Sequence, residues 1–202
     1  LDANGNASIT AADVDAGVTD NCAIGSIEVS PKIFTGANIG PNTVTLTATD
    51  VNGNVATATS TVTVKDIIAP VFTSVQENVI IALDAQTGTA TLANYTGLAA
   101  ATDNSGIPVT LTQSPAAGTP LVKDVATIVT LTATDGSTNN VKQTFTVKAT
   151  DQTAPVANIA TLPTISGECS ASATAAPTAT DNTAGTVTGT TTDPTSYTAQ
   201  GT

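Results

Sequence analysis

Apolar and polar residues alternate along much of this chain, and the alternation predicts β-strands. Val44, Leu46 and Ala48 are separated by single threonines, which is the two-residue period of a strand with one buried face. Asn52-Gly53 follows and can supply the positive φ angles of a tight turn. A second alternating run then ends at Val64. The stretch therefore predicts a β-hairpin.

The hairpin sequence occurs twice at a constant spacing. Thr47-Ala48-Thr49-Asp50 returns as Thr132-Ala133-Thr134-Asp135, and Asp66-Ile67-Ile68-Ala69-Pro70 returns as Asp151-Gln152-Thr153-Ala154-Pro155. Internal repetition at a fixed period determines architecture before any single motif does. A hairpin, a proline-containing linker and a new start together predict a tandem β array.

The repeat divides the chain into three units. Residues 1–66 form a unit that lacks its first strand, 67–151 a complete unit, and 152–202 the first part of a third. A unit of about eighty-odd residues suits a sandwich of roughly seven strands, and the threonine, valine and isoleucine content favours strands over helices. We expect an all-β fold of tandem immunoglobulin-like β-sandwich repeats, truncated at both ends.

Local patterns place the other strands. The predicted strands outside the first hairpin are Ala7–Thr10, Ser26–Val29, Lys32–Phe34, Asn78–Leu83, Val109–Thr112, Ile128–Thr134 and Thr144–Val147. Polar loops with the sequence Thr-Asp-Asn begin at Thr19, Thr102 and Thr180.

Charge and composition exclude several classes of function. The net charge is −11 and the chain has neither arginine nor histidine, so it lacks the basic surface that nucleic-acid binding requires. The same charge opposes docking on an anionic membrane, and no apolar run approaches the ~20 residues of a membrane span. Without histidine, neither a Ser-His-Asp nor a Cys-His arrangement can form. Glu28, Glu77 and Glu168 occupy different places in different units, so no glycosidase-type carboxylate pair is indicated. We predict that the segment is not an enzyme.

Four motifs together resemble a known family. They are L-D-A-N-G-N at Leu1–Asn6, T-D-N-C at Thr19–Cys22, T-V-T-L-T-A-T-D-V-N-G-N at Thr43–Asn54 and D-x-x-A-P at Asp66–Pro70. This succession resembles the HYR (hyalin repeat) immunoglobulin-like domains. More narrowly, it is similar to the versions in very long surface proteins of Flavobacteria and other Bacteroidetes, such as gliding-motility adhesins of the SprB type.

The resemblance implies a function and a location. A chain of this kind would be a stalk segment of a filamentous adhesin that is exported by the type IX secretion system, displayed at the cell surface and used in gliding or attachment. Its partners would be neighbouring repeats of the same chain and an extracellular surface, glycan or protein. In such repeats the cysteine of T-D-N-C pairs with one that precedes L-D-A-N-G-N, so a partner of Cys22 would lie before Leu1. The second unit has Gln76 and Ser105 at these positions, and Cys169 has no counterpart because Thr183 replaces the loop cysteine.

Acidic loops are the sharpest candidate for a functional site. In an immunoglobulin-like sandwich, alternate loops gather at the two ends, so stacked units would bring acidic residues together, and calcium prefers such oxygen ligands. The predicted calcium ligands are Asp2, Asn4, Asp66, Asp103, Asn104 and Asp135 at one junction, and Asp84, Asp151 and Asp181 at the next. The plainer interpretation is that aspartate and asparagine are ordinary turn formers.

A second function from another class stays open at this point. The B–C and F–G loops could bind a glycan or a protein partner, which predicts loops that differ between units while strands stay constant. The F–G loops do differ, since Val51–Asn54 corresponds to Gly136–Asn140, but the Thr-Asp-Asn core of the B–C loop does not. The pattern favours the stalk.

Overall fold

The computed structural model describes most of the chain. The described residues are 1–161, 164, 166, 171–172, 175–190 and, for the backbone, 196–197. Glu168 and Cys169 lie outside the described residues, as does much of the predicted third unit. Cys22 is exposed and is a free thiol.

β-Strands make up nearly all the regular structure. Within the described residues the helices are single 3₁₀ turns at Ala11–Asp13, Gly36–Asn38 and Thr96–Leu98. The strands are β1 (Asn6–Ser8), β2 (Ile24–Ser30), β3 (Ile33–Thr35), β4 (Gly40–Asp50), β5 (Val55–Val64), β6 (Val71–Ser74), β7 (Val79–Ala82), β8 (Ala100–Thr102), β9 (Thr110–Ser114), β10 (Ala126–Thr134), β11 (Asn140–Thr150), β12 (Val156–Ala157), β13 (Ala171–Ser172), β14 (Thr178–Asp181), β15 (Gly185–Thr188) and β16 (Ser196–Tyr197). The predicted all-β class is confirmed. In the part of the chain that the structure describes, no helix has the length and apolar character needed to cross a membrane.

The chain divides into two compact units. Unit 1 comprises Leu1–Glu77, Asn94–Pro115 and Val129–Phe145, and unit 2 comprises Asn78–Ala93, Ala116–Ile128 and Thr146–Thr202. Strands β10 and β11 contribute residues to both units. The units follow spatial packing, whereas the boundaries at 66 and 151 follow the sequence repeat, and those boundaries stay a prediction.

Unit 1 contains the first predicted hairpin. Strands β2, β4 and β5 form an antiparallel sheet in that order, in which Leu46 lies opposite Val29 on one side and Ala58 on the other. Smaller antiparallel pairs join β1 to β3 and β6 to β8. In the same unit, β9 pairs with the second half of β10.

Alternation along these strands builds the core of unit 1. Phe34, Val44 and Leu46 pack with Val29 and Val64 in one buried cluster. These positions are the apolar ones of the period-2 pattern, because successive strand residues point to opposite faces.

The second hairpin of unit 1 buries its own apolar positions. On β10, Val129, Leu131 and Ala133 are fully buried at every second position. The rings of Tyr95 and Phe145 meet edge to face, with centroids 5.0 Å apart and planes at 75°, a favoured aromatic geometry. Burial raises the pKa of Tyr95.

Unit 2 contains a parallel strand pair. Strand β7 runs parallel to the end of β11, with Val79 opposite Val147 and Ala82 opposite Thr150. The backbone amide of Leu83 extends this pairing by donating to the Thr150 carbonyl at 3.0 Å. Strands β12, β14 and β15 form an antiparallel sheet, and β13 pairs with β16.

The predicted strands all overlap observed strands, but the first hairpin turn is wider than expected. Residues Val51–Asn54 connect β4 to β5, and Gly53 has φ +90° whereas Asn52 does not adopt a positive φ. The Asp50 carboxylate accepts hydrogen bonds from the backbone amides of Asn52 and Asn54, both at 2.8 Å. These bonds hold a four-residue loop in place of the tight two-residue turn.

Candidate metal centre

Three aspartates from distant parts of the sequence meet in unit 1. Asp66 follows β5, Asp103 follows β8 and Asp135 follows β10, and one carboxylate oxygen of each lies within 4.8 Å of the other two. Asp66 and Asp135 are each only 6% exposed. We call these three residues the first acidic cluster.

Local turns fix two of these carboxylates. Asp103 Oδ1 accepts from the Ser105 backbone amide at 2.9 Å and from the Ser105 hydroxyl at 2.5 Å. Asp135 Oδ1 accepts from the amides of Ser137 and Asn139 at 2.8 and 2.9 Å. The Asn139 side-chain amide adds a bond to Asp135 Oδ2 at 2.8 Å. The short polar loops thus hold the Asp103 and Asp135 carboxylates in place without a bound ligand.

The side chains of Asn104 and Asn139 hold the third aspartate, Asp66, in place. The Asn104 side-chain amide donates to Asp66 Oδ1 at 3.3 Å and to the Asp2 carbonyl at 2.9 Å. The Asn139 side-chain amide donates to the Asp66 carbonyl at 3.2 Å. Asparagine side chains from two loops therefore hold the residue that follows β5.

The cluster contains buried oxygen atoms without a hydrogen-bond partner. They are Asp66 Oδ2, Asp103 Oδ2 and Asn104 Oδ1. Buried polar atoms in native proteins are nearly always paired, because an unpaired one loses its bonds to water and gains none. All three are acceptors, so the missing partner must be a hydrogen-bond donor or a cation.

Three carboxylates this close repel one another. At an effective dielectric constant of ~20, two unit charges this close repel by at least about 3 kcal/mol. Either a proton shared by Asp66 and Asp103, which lie within hydrogen-bond distance of each other, or a bound cation would relieve the repulsion. Burial raises the pKa of Asp103, but the hydroxyl and the backbone amide of Ser105 outweigh it and leave this pKa below its ordinary value.

The donor set suits a hard divalent cation. It consists of carboxylate and amide oxygens, with no histidine in the chain. Calcium takes six to eight oxygens at 2.3–2.6 Å, so two oxygens on the same ion can be at most about 5 Å apart. The 4.8 Å limit in this cluster is within that span. Asp66, Asp103, Asp135 and Asn104 are the residues that would hold such an ion, with water supplying the remaining ligands.

A second acidic cluster in unit 2 has an amino group beside its carboxylates. Asp151 and Asp181 lie on either side of Thr183, whose hydroxyl is within hydrogen-bond reach of both. Lys123 Nζ lies 3.6 Å from Asp151 Oδ2 and donates to the Thr183 hydroxyl at 2.8 Å. We call Asp151, Asp181 and Lys123 the second acidic cluster.

Both carboxyl groups of the second cluster are stabilised in the ionised form. The hydroxyl of Thr183, together with the backbone amide of Thr153, lowers the pKa of Asp151. The backbone amides of Ala184 and Thr183 lower the pKa of Asp181. Lys123 contributes to lowering both. This cluster thus carries its own positive charge.

The remaining predicted ligands lie in turns beside the clusters. The Asp2 carboxylate accepts from the amides of Asn4 and Asn6 at 2.9 and 2.8 Å. The Asp84 carboxylate likewise accepts from Gln86 and Thr87 at 3.0 and 2.7 Å. The backbone carbonyls of Asp2 and Asp84 accept from the side chains of Asn104 and Asn182, which adjoin the clusters. The Asp2 and Asp84 carboxylates serve as turn formers. The assignment of the nine predicted residues as metal ligands stays a prediction.

Unit 1 also has an open pair of carboxylates that matches part of the first cluster. Asp20 and Asp50, which correspond in the repeat to Asp103 and Asp135, line a cavity of about 140 Å³ with Thr19 and Asn54. The Asp20 carboxylate accepts a hydrogen bond from the Cys22 backbone amide in its own loop, and Asp50 is half-buried. Here no third carboxylate completes the set among the lining residues.

Lys123 and Thr183 are the site residues that the sequence did not single out. Thr183 directly follows the third Thr-Asp-Asn motif, so a comparison of the three loops could have identified it. Lys123 belongs to no repeated motif, and no local signal marks it.

No protein-family model matches this chain, and no curated protein is significantly similar to it in sequence.

Proposed function

We propose that this chain is a non-catalytic structural segment of a filamentous adhesin, built from tandem immunoglobulin-like repeats that dock end to end. The resemblance to HYR repeats supports the secreted, surface-displayed setting. The observation that carries the structural part of the proposal is a contact that recurs with the sequence repeat. Asn104 donates its side-chain amide to the Asp2 carbonyl at 2.9 Å, and Asn182 donates to the Asp84 carbonyl at 3.1 Å.

Glycines at the same two places support the docking. A Cβ added to Gly5 would lie 2.0 Å from the Asn104 carbonyl oxygen, and one added to Gly88 would lie 2.8 Å from that of Asn182. Both glycines also have positive φ, +76° and +65°. Each turn therefore approaches the Thr-Asp-Asn loop of the following repeat more closely than a side chain would permit.

The pairing of strands β7 and β11 is also consistent with a repeat that folds as one unit. Strand β7 is the second strand of the predicted middle repeat, after β6, and β11 is its last strand, and β7 and β11 are neighbours. A repeat in which an early strand pairs with the last strand can fold as a unit, and tandem arrays of such units have nearest-neighbour energetics. This supports a mechanical role in which beads are held by short D-x-x-A-P linkers, where proline restricts φ.

Force spectroscopy on the full chain tests the structural proposal. The repeat of about 85 residues separates Asp50 from Asp135, and extended chain spans at most ~3.3–3.6 Å per residue. We expect an unfolding event that releases roughly 25–30 nm of chain, as one complete repeat would. A single event that releases all 202 residues would contradict independent repeats.

Point variants test the docking contact. Asn104→Ala removes a side chain that contacts Asp2, and Asn21→Ala is its matched control because Asn21 has the same motif position on an exposed loop. We expect only Asn104→Ala to increase the maximum dimension or flexibility seen by small-angle X-ray scattering. Equal profiles for both variants would argue against docking. The adhesin setting is tested separately, by antibody labelling of intact cells that carry the protein.

The alternative of a ligand-binding module has one observation in its favour. The cavity of about 140 Å³ lies between the loop of Thr19 and Asp20 and the loop of Asp50 and Asn54, which are the predicted B–C and F–G loops. Its volume is below the ~300–1,000 Å³ of typical ligand pockets. A glycan-array screen in which Asp20→Ala abolishes a specific signal would favour this alternative over the stalk.

A further inference from the structure

The first acidic cluster differs from an ordinary group of surface carboxylates in one respect. Asp66 is more than nine-tenths buried, and its Oδ2 atom has no hydrogen-bond partner. Asp103 Oδ2 is also buried and unpaired. Asn104 Oδ1 is unpaired too, but so is its counterpart Asn182 Oδ1 beside the second cluster, so the carboxylate oxygens are what distinguishes the first cluster. The hydrogen bonds within the turns of Asp103 and Asp135 are accepted by their Oδ1 atoms. Turn formation therefore does not explain why the other oxygens are buried without a partner.

In the second acidic cluster, the corresponding aspartates have a positively charged side chain beside them. Asp151 and Asp181 correspond in the repeat to Asp66 and Asp103, and Thr183 corresponds to Ser105. There Lys123 places its ammonium 3.6 Å from Asp151. Among the described residues the ion pairs are Lys123–Asp151 and Lys148–Asp124, and neither reaches the first cluster.

The repeat explains why the first cluster has no such amine. The position that corresponds to Lys123 is Asn38, and its side-chain oxygen is bound to Thr35 in the 3₁₀ turn. In that turn, Gly36 lies so close to Ser105 that a Cβ would be 1.9 Å from the Ser105 carbonyl oxygen. The first cluster also contains a third carboxylate, Asp135.

We propose that the first acidic cluster binds one calcium ion through Asp66, Asp103, Asp135 and the side-chain oxygen of Asn104, and that Lys123 takes the place of this ion in the second cluster. Among the described residues, one acidic cluster would therefore depend on calcium, and the other would have an ammonium group in its place. The calcium site is a function beyond the structural role proposed above, and the proposal does not depend on the adhesin setting.

The site places the ion where loops that are distant in sequence converge. Asp66 is the last residue of the predicted first repeat, whereas Asp103 and Asp135 belong to the predicted second. Since the ion would bind only the folded arrangement, it would stabilise the contact by linkage. Calcium sites of extracellular modules have Kd values of ~10⁻⁴–10⁻³ M, and we expect this one to be in that range.

Titration calorimetry on the metal-stripped full chain tests the proposal. CaCl₂ is the probe and MgCl₂ the comparison, because magnesium requires shorter bonds of ~2.0–2.1 Å and retains its water. We expect one calcium ion per chain and a weaker response to magnesium. No binding up to ~10 mM calcium, tenfold above the expected range, would overturn the proposal.

Two matched pairs of variants locate the ion. Asp103→Asn and Asp181→Asn remove equivalent carboxylates from the two clusters, and we expect only Asp103→Asn to weaken calcium binding, by about tenfold or more. Asp135→Asn and Asp50→Asn alter equivalent turns with the same backbone hydrogen bonds, and we expect only Asp135→Asn to weaken it.

Thermal unfolding with calcium and with chelator provides the second measurement for each variant. We expect calcium to raise the melting temperature of the unmodified chain, Asp181→Asn and Asp50→Asn, but not that of Asp103→Asn. If Asp181→Asn lost the calcium response as fully as Asp103→Asn, the assignment of the ion to the first cluster would be wrong. Should Asp103→Asn fail to fold, the comparison of Asp135→Asn with Asp50→Asn decides the question.

Discussion

At the scale of single residues, the aspartates of this chain divide their two carboxylate oxygens between different partners. In Asp103 and Asp135, Oδ1 accepts backbone amides of the following turn. Asp50 does the same in the first hairpin, and its Oδ2 accepts from the Asn54 side chain at 2.6 Å. The turn uses one oxygen, and the environment decides what the other binds. The turn-forming role and a ligand-binding role are therefore compatible in one side chain.

The pKa of Asp50 provides a test at this scale. The side-chain amide of Asn54, followed by its backbone amide, lowers the pKa of Asp50 below its ordinary 3.8. A carboxyl group whose pKa is lower when folded stabilises the fold above its unfolded pKa, and this contribution is lost as the pH falls through the folded pKa. We expect Asn54→Ala to raise the pKa of Asp50, as measured by carboxyl NMR titration, so that the contribution is lost at a higher pH.

Asn52→Ala is the control for that titration. Asn52 contributes only its backbone amide to Asp50, which the substitution retains. An unchanged Asp50 pKa in Asn54→Ala would show that the hydrogen bond from the Asn54 side chain does not affect the pKa of Asp50.

At the scale of elements, the two long hairpins use the same turn with different residues. The Gly53 amide donates to the Asp50 carbonyl at 3.2 Å, and the Thr138 amide donates to the Asp135 carbonyl at 3.3 Å. Gly53 has φ +90° and Thr138 has φ +73°. A β-branched residue is strained in the left-handed region, so the second hairpin carries a cost that the first avoids.

Exchanging these residues tests the strain. A non-glycine residue in the left-handed region costs about 1–2 kcal/mol, partly offset by the greater unfolded-state entropy of glycine. We expect Thr138→Gly to increase the free energy of unfolding by about 0.5–1 kcal/mol, as measured by urea denaturation. Gly53→Thr should lower it by a similar amount. A loss of stability in Thr138→Gly would mean that the threonine side chain makes compensating contacts.

At the scale of the whole molecule, apolar burial is unevenly distributed along the chain. The buried apolar residues include Val129, Leu131 and Val147 in the predicted middle repeat. Of the described residues after 151, the buried one is Asp181. Folding requires buried apolar area to offset conformational entropy. We therefore expect the middle repeat to fold more readily than the last stretch, because no apolar side chain is buried among the described residues after 151.

Fragments test this distribution. We expect residues 67–151 alone to unfold cooperatively on heating, as followed by circular dichroism, since they contain β7, β9, β10 and β11. We expect residues 152–202 alone to show no cooperative transition. A cooperative transition in the fragment 152–202 would contradict the predicted repeat boundaries.

The sequence alone located the strands of the two long hairpins and the aspartates that begin their turns, but it did not predict β6, β8 or the strands after β11. Alternation at Val44 and Leu46 identified β4, and the same pattern identified β10. Such patterns are readable because the side chains of successive strand residues point to opposite faces, which is a local property of the backbone. The residue types also limited the candidate chemistry to oxygen ligands and excluded histidine-dependent catalysis.

Only the tertiary structure decided which oxygens meet. Asp66, Asp103 and Asp135 come together because separate turns pack against one another, whereas the Asp2 carboxylate remains in its own turn. Nothing local to Lys123 indicates that its amine reaches Asp151. The charge balance of a cluster depends on distances between loops, which the packing of strands sets, and a one-dimensional pattern contains no measure of those distances.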